Sequence, residues 1–221
     1  MKLFATAAVL ATASASLTKI ATFDGAKHTA LDWEDTNDPV MGGRSTSTFV
    51  VDDSSKTGIF NGTCAIVPSL SAPGFCKITS KKKLLEKLAD VSADLDGFME
   101  LRVRSSTPSF GGFRVAFEAK DIPKTSVFGG GSFKSGFNLT DTTDFQVVKV
   151  PFNSFSYDWS GFTGRCDTKD PGGQQHHCCS DDAKYCPTAT FLSTISALEI
   201  WAEGAVGDFH LEIDYVGANS E

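Results

Sequence analysis

The chain has 221 residues, with 27 acidic against 20 basic side chains, a net charge of -7, 41% hydrophobic residues and 18 Phe. A chain of this size buries roughly 70% of the surface that its unfolded form exposes, so one globular domain folds without a metal or a partner to hold it. The acidic balance argues against wide contact with nucleic acid or an anionic membrane surface, the many aromatics argue against disorder, and no apolar run reaches the ~18 to 20 residues that a membrane helix needs.

Residues 1–15 read as a secretory signal peptide. Met1 and Lys2 supply a positive start, residues 3–13 an apolar or small-residue run, and Ala13-Ser14-Ala15 a small-x-small cleavage site. Cleavage after Ala15 would leave residues 16–221 as one domain. Mitochondrial presequences are Arg-rich and amphipathic, whereas the first Arg here is Arg44. A secreted or secretory-lumen location suits the other signals. The six cysteines are an even number, as expected where thiols pair. Asn61-Gly62-Thr63 and Asn138-Leu139-Thr140 are glycosylation acceptors, predicting glycans on Asn61 and Asn138.

The stretch 32–45, Asp-Trp-Glu-Asp-Thr-Asn-Asp-Pro-Val-Met-Gly-Gly-Arg-Ser, places the Trp33 anchor before an acidic turn and a glycine pair. It reads first as a turn closing the end of a sandwich, with Trp33, Asn37 and Asp38 as candidate binding residues. Period-2 alternation then predicts about nine short strands: 45–51, 58–67, 75–79, 99–104, 113–118, 133–139, 145–152, 197–201 and 209–215. Residues 81–90 carry Leu84, Leu85 and Leu88 at helical spacing, the one predicted helix. One short helix among many strands points to an all-β sandwich or jelly roll.

Phe152, Phe155, Tyr157, Trp159 and Phe162 form a dense aromatic run. Exposed, Tyr157 and Trp159 would make a platform for sugar rings or a protein partner; the alternative is burial beneath the segment that follows. That segment, 163–190, is long for a loop and holds Cys166, Cys178, Cys179 and Cys186, so cysteines are expected to staple it. Adjacent Cys178 and Cys179 would strain if joined, so each takes Cys166 or Cys186, leaving Cys64 to pair with Cys76 across neighbouring strands. His176 and His177 beside these thiols have metal-ligand chemistry, but disulfides fit an oxidising compartment better, and no metal is expected. The acids at Asp208, Glu212 and Asp214, or at Asp32, Glu34 and Asp38, match no calcium loop and read as solvated side chains. No catalytic or cofactor motif is present: no nucleophile elbow, His-Glu-x-x-His, phosphate loop or dinucleotide fingerprint, and the glycines at 129–131 lack a following Lys and helix.

From Trp33 to Ser47, with its Asn-Asp-x-Val-Met-Gly-Gly-x-Ser core, the chain resembles the NADH:ubiquinone oxidoreductase complex I intermediate-associated protein 30 family. The likeness continues at Gly58-Ile59-Phe60-Asn61-Gly62, Pro73-Gly74-Phe75, Leu101-Arg102-Val103-Arg104, residues 150–155 and residues 209–216. The resemblance implies a galactose-binding-like β-sandwich, a fold shared with carbohydrate-binding modules, and a non-enzymatic role without a cofactor. Founding members look like assembly chaperones for mitochondrial complex I. The leader and the cysteine-rich loop depart from that pattern. The expected function is therefore a non-catalytic binding module of the secretory pathway for a protein or glycan. The alternatives are a mitochondrial chaperone acting on complex I assembly intermediates and, more remotely, a hydrolase using acids of a sandwich cleft.

Overall fold

The computed structural model describes residues 17–38, 42–80, 88–125 and 131–221. The expected leader, residues 81–87 of the expected helix, and residues 126–130 with two of the three consecutive glycines lie outside the described residues.

Alternation of apolar and polar side chains produces antiparallel sheets that meet face to face. The first sheet runs β11 (Gln146–Pro151), β8 (Phe98–Arg104), β13 (Gly207–Asn219), β4 (Thr57–Cys64) and β3 (Thr46–Asp52), and β1 (Thr18–Thr22) also pairs with β13. The second runs β10 (Ser132–Gly136), β9 (Phe113–Ala119), β12 (Ile195–Glu203), β7 (Phe75–Ser80) and β2 (Trp33–Asn37). A small hairpin joins β5 (Ile66–Val67) to β6 (Ala72–Pro73). Between the sheets lie Met99, Leu101 and Val103, Phe113, Val115 and Phe117, and Phe209, Leu211 and Ile213, all buried as their spacing predicts.

Each predicted strand is present, the 58–67 segment being broken at Ala65. The acidic stretch at 33–37 is not only turn: it forms β2, an edge strand whose exposed Glu34 and Asp35 discourage pairing with another chain. Residues 88–90 are not helical; the short helix is α1 (Ala189–Leu192). The third predicted disulfide is not formed. Cys64 ends β4 and Cys76 lies in β7, on opposite sheets rather than neighbouring strands, and both are buried free thiols. The Cys64 thiol donates to the Ala202 carbonyl at 3.1 Å, and the Cys76 thiol beside it, together with burial, pushes its pKa up.

On the outer face of the first sheet, Arg102 pairs with Asp214, and Arg104 with Glu212 at 2.7 Å. Both guanidinium groups lie 4.7 Å from the Phe145 ring, so these acids are spent on cross-strand pairs. At the far end of β13 the buried Tyr215 hydroxyl donates to Glu100 Oε1 at 2.7 Å, while Asn219 Nδ2 donates to Glu100 Oε2 at 3.2 Å. Burial and the Glu100 carboxylate push the Tyr215 phenol up to about 12. A folded-state pKa above the ordinary ~10 means that the fold holds this proton more tightly than the unfolded chain. Its contribution to stability is complete below pH ~10 and is lost as the pH rises through about 12. An ultraviolet titration should therefore show a late phenol step that disappears in Tyr215→Phe. Retention of that step would refute the assignment.

Candidate functional site

The strand registers align one set of side chains on the outer face of the second sheet: Lys134 on β10, Arg114 and Ala116 on β9, Glu199, Trp201 and Glu203 on β12, and Phe75 and Lys77 on β7. Outward positions ordinarily meet water, yet most of these are buried, because the chain after β11 folds back over them. Ser156 first extends β10 through paired backbone bonds with Lys134. Trp159 then crosses onto the sheet, packs against Ala116 and Trp201, and donates its indole N–H to the Ser132 carbonyl at 3.0 Å.

Beneath this cover the Lys134 ammonium is completely enclosed. Its Nζ is 2.6 Å from Glu203 Oε1 and lies over the Trp159 and Trp201 rings at 3.4 and 3.5 Å from their centroids. Burial pulls its pKa down to about 8, with Glu203 opposing the shift. Lys77 repeats the arrangement nearer the edge, 2.8 Å from Glu199 and 4.7 Å from the Trp201 ring.

The covering loop is held by two disulfides, Cys166–Cys178 and Cys179–Cys186, which decides between the two pairings that the sequence leaves open. A buried histidine supplies the internal framework. His176 Nδ1 lies 2.9 Å from Asp158 Oδ1 and Nε2 lies 2.8 Å from Asp170 Oδ2, while Ser160 donates to Asp170 Oδ1 at 2.5 Å. His177 bonds Asp158 through its backbone N–H and stacks on Tyr185 with centroids 5.1 Å apart. Both imidazoles are thus engaged within the loop, and among the described residues no group of three or more His, Cys, Asp or Glu side chains is arranged to hold a metal ion.

Between loop and sheet opens a pocket of about 570 Å³. Phe75, Trp159, Phe162 and Trp201 wall one part of it, Val67, Leu70 and Pro73 another, and Asp170, Gln174 and Glu203 supply polar groups. Asp38 also reaches the wall, but its carboxylate is already committed. It accepts Ser45 N at 3.0 Å, Ser45 Oγ at 2.7 Å and Phe75 N at 3.1 Å, tying the 38–45 turn to β7. This explains the glycines of the motif: a Cβ on Gly43 would stand 2.0 Å, and one on Gly74 1.4 Å, from the Asp38 oxygens.

Of the candidate binding residues, Asp38 and Trp159 therefore line the pocket, and three do not. Trp33 packs 5.9 Å from both Phe23 and Phe49, Asn37 accepts the Ser47 hydroxyl at 2.6 Å, and Tyr157 is buried between Phe133 and Tyr185. Trp201 and Glu203 are pocket residues that the sequence reading does not single out. Their signal was a Trp and an acid alternating with Ile200 and Ala202, a large indole on the polar face of a strand.

The fold is a β-sandwich of the galactose-binding-like, jelly-roll type. A family 11 carbohydrate-binding module of a Clostridium thermocellum cellulosomal cellulase, Lic26A-Cel5E, superposes with a TM-score of 0.50 at 14% identity, covering 94% of this chain and 96% of that one. The Complex I intermediate-associated protein 30 (CIA30) model matches residues 21–169, more than half of the chain, and the chain belongs to that family. Also similar are a family 11 module from Clostridium thermocellum in complex with a beta-1,3-1,4-mixed-linked tetrasaccharide (TM-score 0.47, 17% identity, 93% and 96% covered) and an agarase, AgWH50C (0.48, 11%). The agarase likeness covers 92% of this chain but 26% of the agarase. No match was found among curated proteins.

Replacing one partner of a buried ion pair strands the other charge, at a cost of ~3–5 kcal/mol, whereas replacing both with neutral groups is close to neutral. Lys134→Met should therefore destabilise the protein by about that amount in denaturant unfolding, and adding Glu203→Gln should restore most of the loss. Equal stability of the single variant and the parent would show that the pair does not hold the loop.

Proposed function

We propose that this protein is a non-catalytic glycan-binding module acting in the secretory pathway, and that a sugar ring occupies the pocket between the disulfide-closed loop and the second sheet. The observation that carries this reading is the lining itself: Phe75, Phe162 and Trp201 beside Asp170, Gln174 and Glu203. A pyranose has one face of C–H groups and a rim of hydroxyls. The C–H face packs on the electron-rich face of an aromatic ring, and carboxylate and amide side chains accept and donate hydrogen bonds to the rim. A largely apolar concavity with a few convergent polar groups is the usual form of a small-ligand site. The carbohydrate-binding-module likeness supports a binding scaffold.

The secretory part of the reading draws support from the paired cysteines of the loop, from the expected leader at residues 1–15, and from the two acceptor sequons, of which Asn138 is exposed. A second reading, a chaperone for complex I assembly, is favoured by the family model. It would require the four loop cysteines to remain reduced in the mitochondrial matrix.

Two measurements test the proposal. In glycan arrays followed by calorimetry, Phe162→Ala and Gln174→Ala should each weaken binding of the best ligand at least tenfold and abolish the accompanying change in tryptophan fluorescence. Unchanged affinity in both variants would overturn the pocket assignment. Non-reducing peptide mapping of protein from its native cells should find Ser16 at the N-terminus and the peptides joined as Cys166–Cys178 and Cys179–Cys186. Reduced loop thiols would transfer the weight to the assembly-chaperone reading.

A further inference from the structure

Asp38, Asp170 and Glu203 line the pocket beside Trp201, and among the described residues that line it none is Lys, Arg or His. The cations of this region face elsewhere: Arg114, Lys134 and Arg165 line a separate, smaller cavity of about 300 Å³. Lys134 is in any case fully enclosed, with Glu203 Oε1 as its partner at 2.6 Å. The Asp38 carboxylate is bonded only by neutral donors, the N–H and hydroxyl of Ser45 and the N–H of Phe75, and among the described residues no cation lies within ion-pair distance of it. An anionic group entering this pocket would exchange its water for a wall that holds carboxylates and no cation, and an unpaired charge is costly to bury.

A cationic group meets a different obstacle, because most acceptors are already spent. Both Asp38 oxygens are taken, Ser160 donates to Asp170 Oδ1, His176 Nε2 lies 2.8 Å from Asp170 Oδ2, and Glu203 Oε1 holds Lys134. The Trp201 ring already faces two ammonium groups, Lys134 at 3.5 Å and Lys77 at 4.7 Å from its centroid. A further ammonium would bring three donors and meet both of these charges.

What remains unspent suits a hydroxyl. Glu203 Oε2 has no donor among the described residues and is not sealed from solvent. Gln174 is exposed, and its side chain makes one long bond, 3.4 Å from Nε2 to the Thr125 carbonyl, which leaves the amide oxygen and a second N–H free. A sugar hydroxyl both donates and accepts, so it pairs with a carboxylate oxygen or with either end of an amide without bringing a charge. We infer, resting on the glycan-binding reading above, that this pocket is selective for an uncharged sugar unit and turns away uronic acids, sulfated sugars and amino sugars.

An array of gluco-, galacto- and manno-oligosaccharides, each printed in its neutral form and as uronate, sulfated and amino counterparts, tests this, followed by calorimetry on those that bind. The neutral member of at least one series should bind, with its charged counterparts at least tenfold weaker. Gln174→Lys places a cation on the exposed wall where none stands, without disturbing a buried contact. It should raise affinity for the uronate at least tenfold at constant ionic strength, whereas Gln174→Glu should not. Charged counterparts that bind as tightly as the neutral sugar, and lose that binding in Phe162→Ala, would overturn the selectivity and leave a glycan pocket standing. A Gln174→Lys variant without any gain for the uronate would overturn it too. Absence of binding by every member of the array would overturn the glycan reading and the selectivity with it.

Discussion

The fold depends on covering the second sheet twice. Its inner face is an ordinary apolar strand surface, but its outer face carries Lys134, Glu203 and Glu199, charges that are stable under cover only if each is matched. The Lys134–Glu203 pair clasped between Trp159 and Trp201 is the central match. The two indoles exclude water and add their own attraction for the ammonium, worth ~2 kcal/mol or more once it is desolvated. Trp159 is at once the lid of this pair and the first anchor of the loop, so pair and cover are formed together or not at all.

The loop has almost nothing else with which to pack. Residues 163–188 consist mainly of Gly, Asp, Thr, Lys and Gln, which cannot offset the entropy of ordering by burial. Cross-links substitute. The disulfides close segments separated by 12 and 7 residues, contributing about 2–3 kcal/mol each in the chain-entropy account, and His176 joins two parts of the loop through Asp158 and Asp170. Where the loop touches the sheet it rises into a ridge at Gly164, whose φ of +67° and the 2.1 Å that a Cβ would leave to Glu203 both demand glycine. Glu203 lines the cavity on one side of Gly164 and Lys134 the smaller cavity on the other, so one ion pair separates the two.

How far the sequence discloses this follows from what period-2 alternation can and cannot see. It locates Phe113, Val115 and Phe117 in the core, because inward side chains must be apolar whatever else the chain does. It leaves outward charges such as Arg114, Glu199 and Glu203 facing solvent, because nothing local announces that a separate segment will cover them. The motif around Asp38 is conspicuous for a reason that its neighbours alone do not supply: one carboxylate needs Gly43 from its own turn and Gly74 from just before β7, and only the folded chain brings these together. Cys64 and Cys76 do meet, but across the core from opposite sheets and as free thiols, a relation that strand-by-strand alternation does not show.

Family and site divide along the chain in a way that bears on function. The family match ends at residue 169, inside the loop, and covers Asp38, Phe75, Trp159 and Phe162 of the first cavity. Asp170, Gln174, Trp201 and Glu203 lie beyond it, as do three of the four loop cysteines. The matched part thus supplies one aromatic wall, whereas Asp170, Gln174 and Glu203, which would choose a ligand, come from outside it. A role through this pocket needs the stapled loop, and so belongs to those members that carry it.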